Sequence, residues 1–313
     1  MNVATGGEAS DNLAWACCGR WAADRARFAL YAEDADGRES AWTFWDIQRE
    51  ANRYSNVLAA LGVMRGDRVA LLSAQRPQAA AILIACWQMG AVAQPLPGTL
   101  KGAALAAALD GAQVAVADPE GQRRLEALPG RVRHALGIAG ARGERMRDWN
   151  EIRPLASPRY ARLEGVGKAA ALQLGGGAPV SHAQLAACGT AFAAAHAGYP
   201  QAGDLFWSPG EWGSGAGLTE GLLPAWLSGQ PVVAAAGRFD AEAAFALIAK
   251  YDVRNVRLSP RELETMMAAA ARPDEHDCRL RTLATGGAAL SPVLTAWARQ
   301  ALGAAPSADE RCS

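Results

Sequence analysis

The chain has 313 residues, half of them hydrophobic and a fifth charged, which excludes a disordered chain, a collagen and a small disulfide-stapled scaffold. Its length suits about two domains or subdomains. Lys plus Arg and Asp plus Glu number 31 each, so the chain lacks the basic excess that a nucleic-acid partner demands.

In chain order, residues 10–24 read as a helix and 28–33 as a strand. Thr43-Phe-Trp-Asp46 resembles a capping box with Asp in place of the usual Glu. The apolar positions Ile47, Ala51, Tyr54, Val57, Leu58 and Leu61 continue it with helical spacing, and Gly62 suits the end. A βαβ pattern follows: strand 68–73, helix 78–88, strand 91–95, helix 101–109, strand 113–117. Residues 119–165 are Arg-rich and less periodic, with a weak strand at 132–138 and a loop at 148–160. We place the subdomain boundary here, giving 1–160 and an incomplete 161–313. Alternation resumes with strands at 168–174, 205–208, 231–236, 254–259 and 281–285. Helices at 181–197, 217–228, 240–251, 260–271 and 291–302 lie between and after them. Short apolar strands alternating with helices predict an α/β fold, two parallel sheets with helices on both faces. One segment echoes another: Gly66-Asp67, strand, helix, Trp87-x-x-Gly90 and Gly203-Asp204, strand, helix, Trp226-x-x-Gly229. Generic supersecondary similarity accounts for such an echo more readily than duplication.

No basic stretch leads into an apolar core at the N-terminus, so no secretory signal is expected. The longest apolar run, 79–93, is broken by Gln88 and Gly90 and is too short to span a bilayer. The six cysteines form no C-x-x-C pair and mostly sit in apolar helical stretches, the setting of buried reduced thiols. The four histidines lack H-x-x-x-H spacing, so no zinc site is expected. These features predict a soluble cytoplasmic protein.

The stretch T-F-W-D-I-Q-R-E-A-N-R-Y-S-N-V-L-A-A-L-G-V-M-R-G-D-R-V-A-L-L resembles the start of adenylate-forming acyl-CoA synthetases. So do A-I-L-I-A-C-W-Q-M-G-A-V-A-Q-P-L, D-L-F-W-S-P-G-E-W-G-S-G-A-G-L and F-D-A-E-A-A-F-A-L-I-A-K-Y-D-V-R-N-V. The W-S-P-x-x-W form is most similar to the acetyl- and medium-chain members, and the match runs over residues 10–300. The resemblance implies the large N-terminal domain of this family and a two-step ligation. A carboxylate attacks ATP to give an acyl-adenylate, and coenzyme A takes the acyl group. ATP, Mg²⁺ and coenzyme A are thus implied, with a small carboxylate or nucleotide as partner.

Each family motif has its place here. The phosphate loop, Ser-Gly-Thr-Thr-Gly-x-Pro-Lys-Gly in the family, is matched by a shorter stretch with Gly175, Gly176 and Gly177 but no Thr or Lys. Ser181-His182 matches the Ser/Thr-His that opens the next helix. The glycines and His182 are candidates for phosphate. The same residues also suit a plain turn before a helix capped by Ser181. Trp207, Trp212 and Gly213 are candidates for the acyl pocket, or the tryptophans are core. Glu211 reads as a surface carboxylate rather than a general base. Gly286, Gly287 and Ala288 match the adenine-contacting segment. They equally suit a strand-to-helix turn with Ser291 as cap and Pro292 at the first helical position. After Gly303-Ala304-Ala305-Pro306 the family's Tyr-Gly-x-Thr-Glu metal motif does not follow. Nor do the ribose-binding Asp and the C-terminal lid domain with its Lys. We expect a truncated chain with no assigned catalytic or metal-binding residue and impaired chemistry; a frameshift would produce such a tail. The alternatives are a non-catalytic nucleotide- or acyl-binding or protein-interaction module, or a remnant. An apolar face left by missing strands would pair with a second copy or a partner chain.

Overall fold

The computed structural model describes residues 11–143, 146–160, 167–196, 198–269, 278–286 and 290–309. Near the start a π-helical turn, Trp15–Gly19, stands where the sequence suggests a longer helix. Strand β1 spans Phe28–Glu33 and β2 spans Glu39–Thr43. The helix Phe44–Ala60 begins on the expected capping box. Asp46 N–H donates to Thr43 Oγ1 at 3.1 Å and Thr43 N–H donates to Asp46 Oδ2 at 3.0 Å. Two backbone donors that a helix start leaves unpaired are thereby satisfied. Ile47, Ala51, Tyr54 and Leu58 are fully buried. Gly62 leaves the helix at φ +82°, a left-handed conformation that glycine adopts without a Cβ clash.

The first sheet is built from β3 (Arg68–Leu72), β4 (Val92–Pro95), β5 (Ala112–Ala117), β6 (His134–Gly137), β7 (Met146–Asp148), β8 (Ala170–Leu172) and β9 (Val180–Ser181). Its order is β7-β6-β5-β3-β4-β8-β9. All its pairs are parallel except the β8–β9 hairpin. Helices Pro77–Met89 and Gly102–Leu109 supply the crossovers. A further helix, Pro119–Glu126, stands in the Arg-rich stretch, capped by Asp118 with Pro at its first turn.

The second sheet adds β10 (Phe206–Trp207), β11 (Val232–Ala235), β12 (Asn255–Arg257), β13 (Thr282–Gly286) and β14 (Pro306–Asp309) to β1 and β2. Its order is β14-β13-β12-β10-β11-β1-β2. Strand β14, where the sequence suggests only a tail, pairs in parallel with β13, Leu283 opposite Pro306. Ser291 caps the helix Pro292–Leu302, its side chain accepting from Leu294 N–H at 3.2 Å, with Pro292 in the first turn.

The two sheets repeat one plan. In each, a central strand (β3 or β10) has the next strand on one side and the third, fourth and fifth on the other. This is the doubly wound arrangement. The sequence echo falls on this plan bond for bond. Asp67 Oδ2 accepts from Met64 N–H at 2.8 Å, and Asp204 Oδ2 accepts from Gln201 N–H at 2.7 Å. Gly66 and Gly203 have φ of +85° and +81°, Gly90 and Gly229 of +72° and +69°. The fully buried indoles of Trp87 and Trp226 each reach the strand two places from the central one in their own sheet. Trp87 donates to Ala171 O at 3.0 Å and Trp226 to Ala29 O at 2.9 Å.

The chain divides into two units, one drawn from Met1–Arg27, Trp42–Ala186 and Glu211–Gly215, the other from Phe28–Ala41, Ala187–Gly210 and Ala216–Ser313. One core of the first unit gathers Leu72, Leu96, Leu105, Leu109 and Leu125. The second packs Trp207, Phe245, Ile248, Leu258, Leu283 and Leu302. Each such side chain contributes about 1.5–3 kcal/mol when removed from water. Cys17, Cys18, Cys86 and Cys278 are buried thiols outside any disulfide, as expected. Cys188 corrects the expectation of reduced thiols: it is disulfide-bonded. An apolar helical setting buries a half-cystine as readily as a thiol, so sequence context does not separate them. Among the described residues no helix is long and apolar enough to cross a membrane.

Candidate active site

The glycine turn belongs to the first unit and joins β8 to β9. Gly177 N–H donates to Leu174 O at 2.9 Å, and Gln173 Nε2 donates to Gly177 O at 3.0 Å. From the sheet interior, fully buried Gln94 donates through Nε2 to Gly175 O at 3.1 Å and to Ala108 O at 2.9 Å. Gly175 needs its glycine because φ is +55°. A Cβ on Gly175 or Gly176 would meet nothing within 4 Å. The turn is therefore pinned from within and open outside, and residues 176–179 are exposed. Backbone N–H groups in such a setting suit an anion. The turn supplies neither hydroxyl nor cationic side chain of its own.

Ser181 caps the following helix, His182–Ala195, in a box with Gln184. Gln184 N–H donates to Ser181 Oγ at 3.3 Å, and Ser181 N–H donates to Gln184 Oε1 at 2.9 Å. His182 is 1% exposed. Its Nδ1 accepts from Leu13 N–H at 3.2 Å, which leaves the proton on Nε2. Burial pushes its pKa down to about 4, and Arg65 adds to the shift. The ring is thus a neutral strut fastening the N-terminal segment, and its placement differs from that of the open glycines.

Of the three acyl candidates, Trp212 and Gly213 lie in the first unit, in a 3₁₀ turn Trp212–Ser214. Trp212 is buried. A Cβ on Gly213 would stand 2.7 Å from Leu96 C and O, so the glycine permits backbone to lie on backbone. Glu211 is exposed, and its Oε2 accepts from Gly98 N–H at 2.9 Å. Gly215 presses on Leu174, its Cβ position 2.7 Å from Leu174 Cδ1. The structure therefore brings the 212–215 segment against the glycine turn. Trp207 belongs to the second unit, in its core. Its ring also lines a cavity of about 330 Å³ with Phe239, Leu247 and Glu33.

Gly286 ends β13 in the second unit; Gly287 and Ala288 lie outside the described residues. A doubly wound sheet binds ligands beyond the carboxyl ends of its strands, where the winding reverses. That place in this sheet is the end of β10 and β12. The sequence reading missed what stands there. Arg257, last in β12, puts its guanidinium where a Cβ of Gly286 would be. It is ion-paired with Glu220, the side chains 12% and 11% exposed. An Arg at the end of the apolar strand run N-V-R-L was the available signal; its partner, 37 residues away, gave none.

At the opposite, amino ends of β12 and β13 lies a buried network. His196 Nδ1 meets Thr282 Oγ1 at 2.6 Å, Thr282 Oγ1 donates to Asn255 Oδ1 at 2.7 Å, and Arg281 Nη2 donates to the same oxygen at 3.0 Å. Burial drives His196 down to about 4, with Arg281 and Arg257 adding. Its position, at the strand ends away from the switch point, makes it structural. Among the described residues no three His, Cys, Asp or Glu side chains converge as metal ligands would.

The model of the AMP-binding enzyme family matches residues 19–138 and 177–308. The acetyl-coenzyme A synthetase of Bacillus subtilis is 27% identical over 296 residues, 87% of this chain and 50% of that protein. The chain thus spans half the length of that relative. An acyl-CoA synthetase of Brucella canis superposes with a TM-score of 0.84 at 25% identity, covering 94% of this chain and 56% of that one. The N-terminal domain of FACL13 from Mycobacterium tuberculosis has the same fold, with a TM-score of 0.80, 21% identity and coverage of 96% and 75%. The matched spans hold most strands of both doubly wound sheets, β7 and β8 falling between them, and the chain belongs to the AMP-binding enzyme family.

Proposed function

We propose that this chain is an acyl-CoA synthetase-like protein with weakened chemistry. The inherited reaction is ATP-dependent activation of a short- or medium-chain carboxylic acid to an acyl-adenylate, followed by transfer to coenzyme A. The supporting observation is the glycine turn, pinned at Gly175 by Gln94 and open on its outer side. Its open backbone donors fit phosphate oxygens in kind, and Gly175 and Gly176 are assigned to them; Gly177, whose N–H is taken by Leu174 O, and His182, closed against Leu13, are assigned to support instead. ATP would supply the adenylyl group and Mg²⁺ the counter-charge. The turn offers no cation or hydroxyl to hold the leaving pyrophosphate, and losing such a clamp costs about 10²–10³ in rate. Trp212 and Gly213 are assigned to the wall of an acyl pocket; Trp207, in the other unit, is assigned to the cavity that it lines there.

A second reading, a nucleotide- or acyl-binding module without catalysis, draws on the lack of a hydroxyl or cationic side chain in the glycine turn. A flat base fits against Gly286 only once the Arg257 guanidinium, which lies over it, has moved aside. A thermal melt with and without millimolar Mg-ATP, followed by pyrophosphate exchange with acids from acetate to octanoate, separates the readings. A ligand at 100 times its Kd adds about 2.7 kcal/mol of stability. An upward shift with slow exchange supports the first reading. A shift with no exchange supports the second. No shift and no exchange sinks both.

A further inference from the structure

A cavity of about 710 Å³ opens at the edge of the first sheet, beside the end of the helix Pro119–Glu126 and strands β6 and β7. Its floor is apolar, made by Leu125, Leu128, Val132 and Met146, and its rim carries Arg133 and Arg142. We propose that this groove binds an aliphatic carboxylate, its alkyl chain on the floor and its head between the two guanidiniums.

Three observations carry the proposal. The volume lies within the range of small-molecule sites, and an apolar lining with few polar groups is their usual make-up. Glu126 is the single carboxylate among the lining residues beside two arginines, so the lining keeps a net positive charge. Arg142 Nε stands 3.6 Å from Glu126 Oε1, beyond hydrogen-bond reach, with both side chains half exposed. Arg133 has no ion pair among the described residues. The local field is positive as well: beside the groove, desolvation and the charges of Arg147 and Arg133 hold the His134 imidazole below its ordinary range. An alkyl chain alone would leave the guanidiniums unused, and inorganic phosphate would leave the floor wet. A carboxylate on a chain satisfies both, since the planar guanidinium fork matches carboxylate geometry.

The groove lies wholly in the first unit and shares no residue with those assigned to the family reaction, so its test is separable. The full chain is photolabelled with a diazirine-bearing decanoate, and labelled peptides are mapped by mass spectrometry. Decanoate and decanol affinities are measured by calorimetry. The expected result is labelling confined to residues 119–148, undiminished by saturating acetate, and decanol at least tenfold weaker than decanoate. Arg133→Ala with Arg142→Ala should weaken decanoate at least tenfold while keeping the parent melt, and Val132→Asp should abolish labelling. Labelling elsewhere, equal binding of decanol, or unchanged affinity in the arginine variant overturns the proposal.

Discussion

Trp87 and Trp226 hold the same place in two different sheets: each follows a central strand, each is fully buried, and each donates its indole N–H to a carbonyl of a flanking strand. Trp→Phe at either position removes the donor and leaves a buried carbonyl unsatisfied, which costs about 1–3 kcal/mol. The two sites share no partner, so the double variant should lose the sum within about 0.5 kcal/mol. Urea unfolding of the two single variants and the double variant checks both statements.

Gly213→Ala and Gly176→Ala should behave oppositely. The first drives a methyl into the Leu96 backbone, which cannot swing away as a side chain can. The expected loss is about 1–3 kcal/mol. The second meets open space at an exposed position and should change stability by less than about 0.5 kcal/mol. Denaturant midpoints compared at equal m-value decide the matter.

Arg257→Ala should destabilise by about 3 kcal/mol, because it strips partly buried Glu220 of this counter-charge. Arg257→Met combined with Glu220→Leu should recover most of that loss. If the guanidinium also blocks the strand end, this double variant should show a larger Mg-ATP melting shift than the parent. A smaller shift in the double variant would show that Arg257 attracts the nucleotide instead.

Acid should unfold the chain partly through its histidines. The folded-state values of His182 and His196, about 4 each, lie below the ordinary 6.5. The unfolded chain therefore binds protons first as pH falls. Stability is full above pH 6.5 and declines toward pH 4, by at most about 3 kcal/mol per histidine. His196→Gln should flatten that decline, read from urea titrations at pH 7.5, 5.5 and 4.5.

Much of this fold was legible where local chemistry and packing agree. Thr43 and Asp46 cap, Ile47 to Leu58 face inward and Gly62 terminates, so one segment carries all three signals. Strands β3, β4 and β5 were visible because they are buried on both faces and read as apolar runs. The missed strands β2, β7, β9 and β14 span two to five residues and stand at or next to sheet edges. Their identity comes from a neighbour's hydrogen bonds, which no local pattern records. The helix Pro119–Glu126 was hidden by its charged surface, although Asp118-Pro119 announces its start. At the candidate site the glycines could be found by type. The contact of Gly213 with Leu96, and of Arg257 with Glu220, joins residues 117 and 37 positions apart, and only the fold brings them together.

Gln94 gives the glycine turn a property that its composition hides. Glycine-rich segments commonly act as flaps that close on what they bind. This one has a carbonyl clasped by an amide rooted in the middle of a parallel sheet, and the same amide clasps Ala108. The entropy of ordering the turn is then spent when the chain folds, not when a ligand arrives. Association should proceed without a slow closing phase, and an anion should raise the exchange protection of the Gly175 and Gly176 amides that donate to it while leaving the Gly177 amide, already bonded to Leu174 O, unchanged.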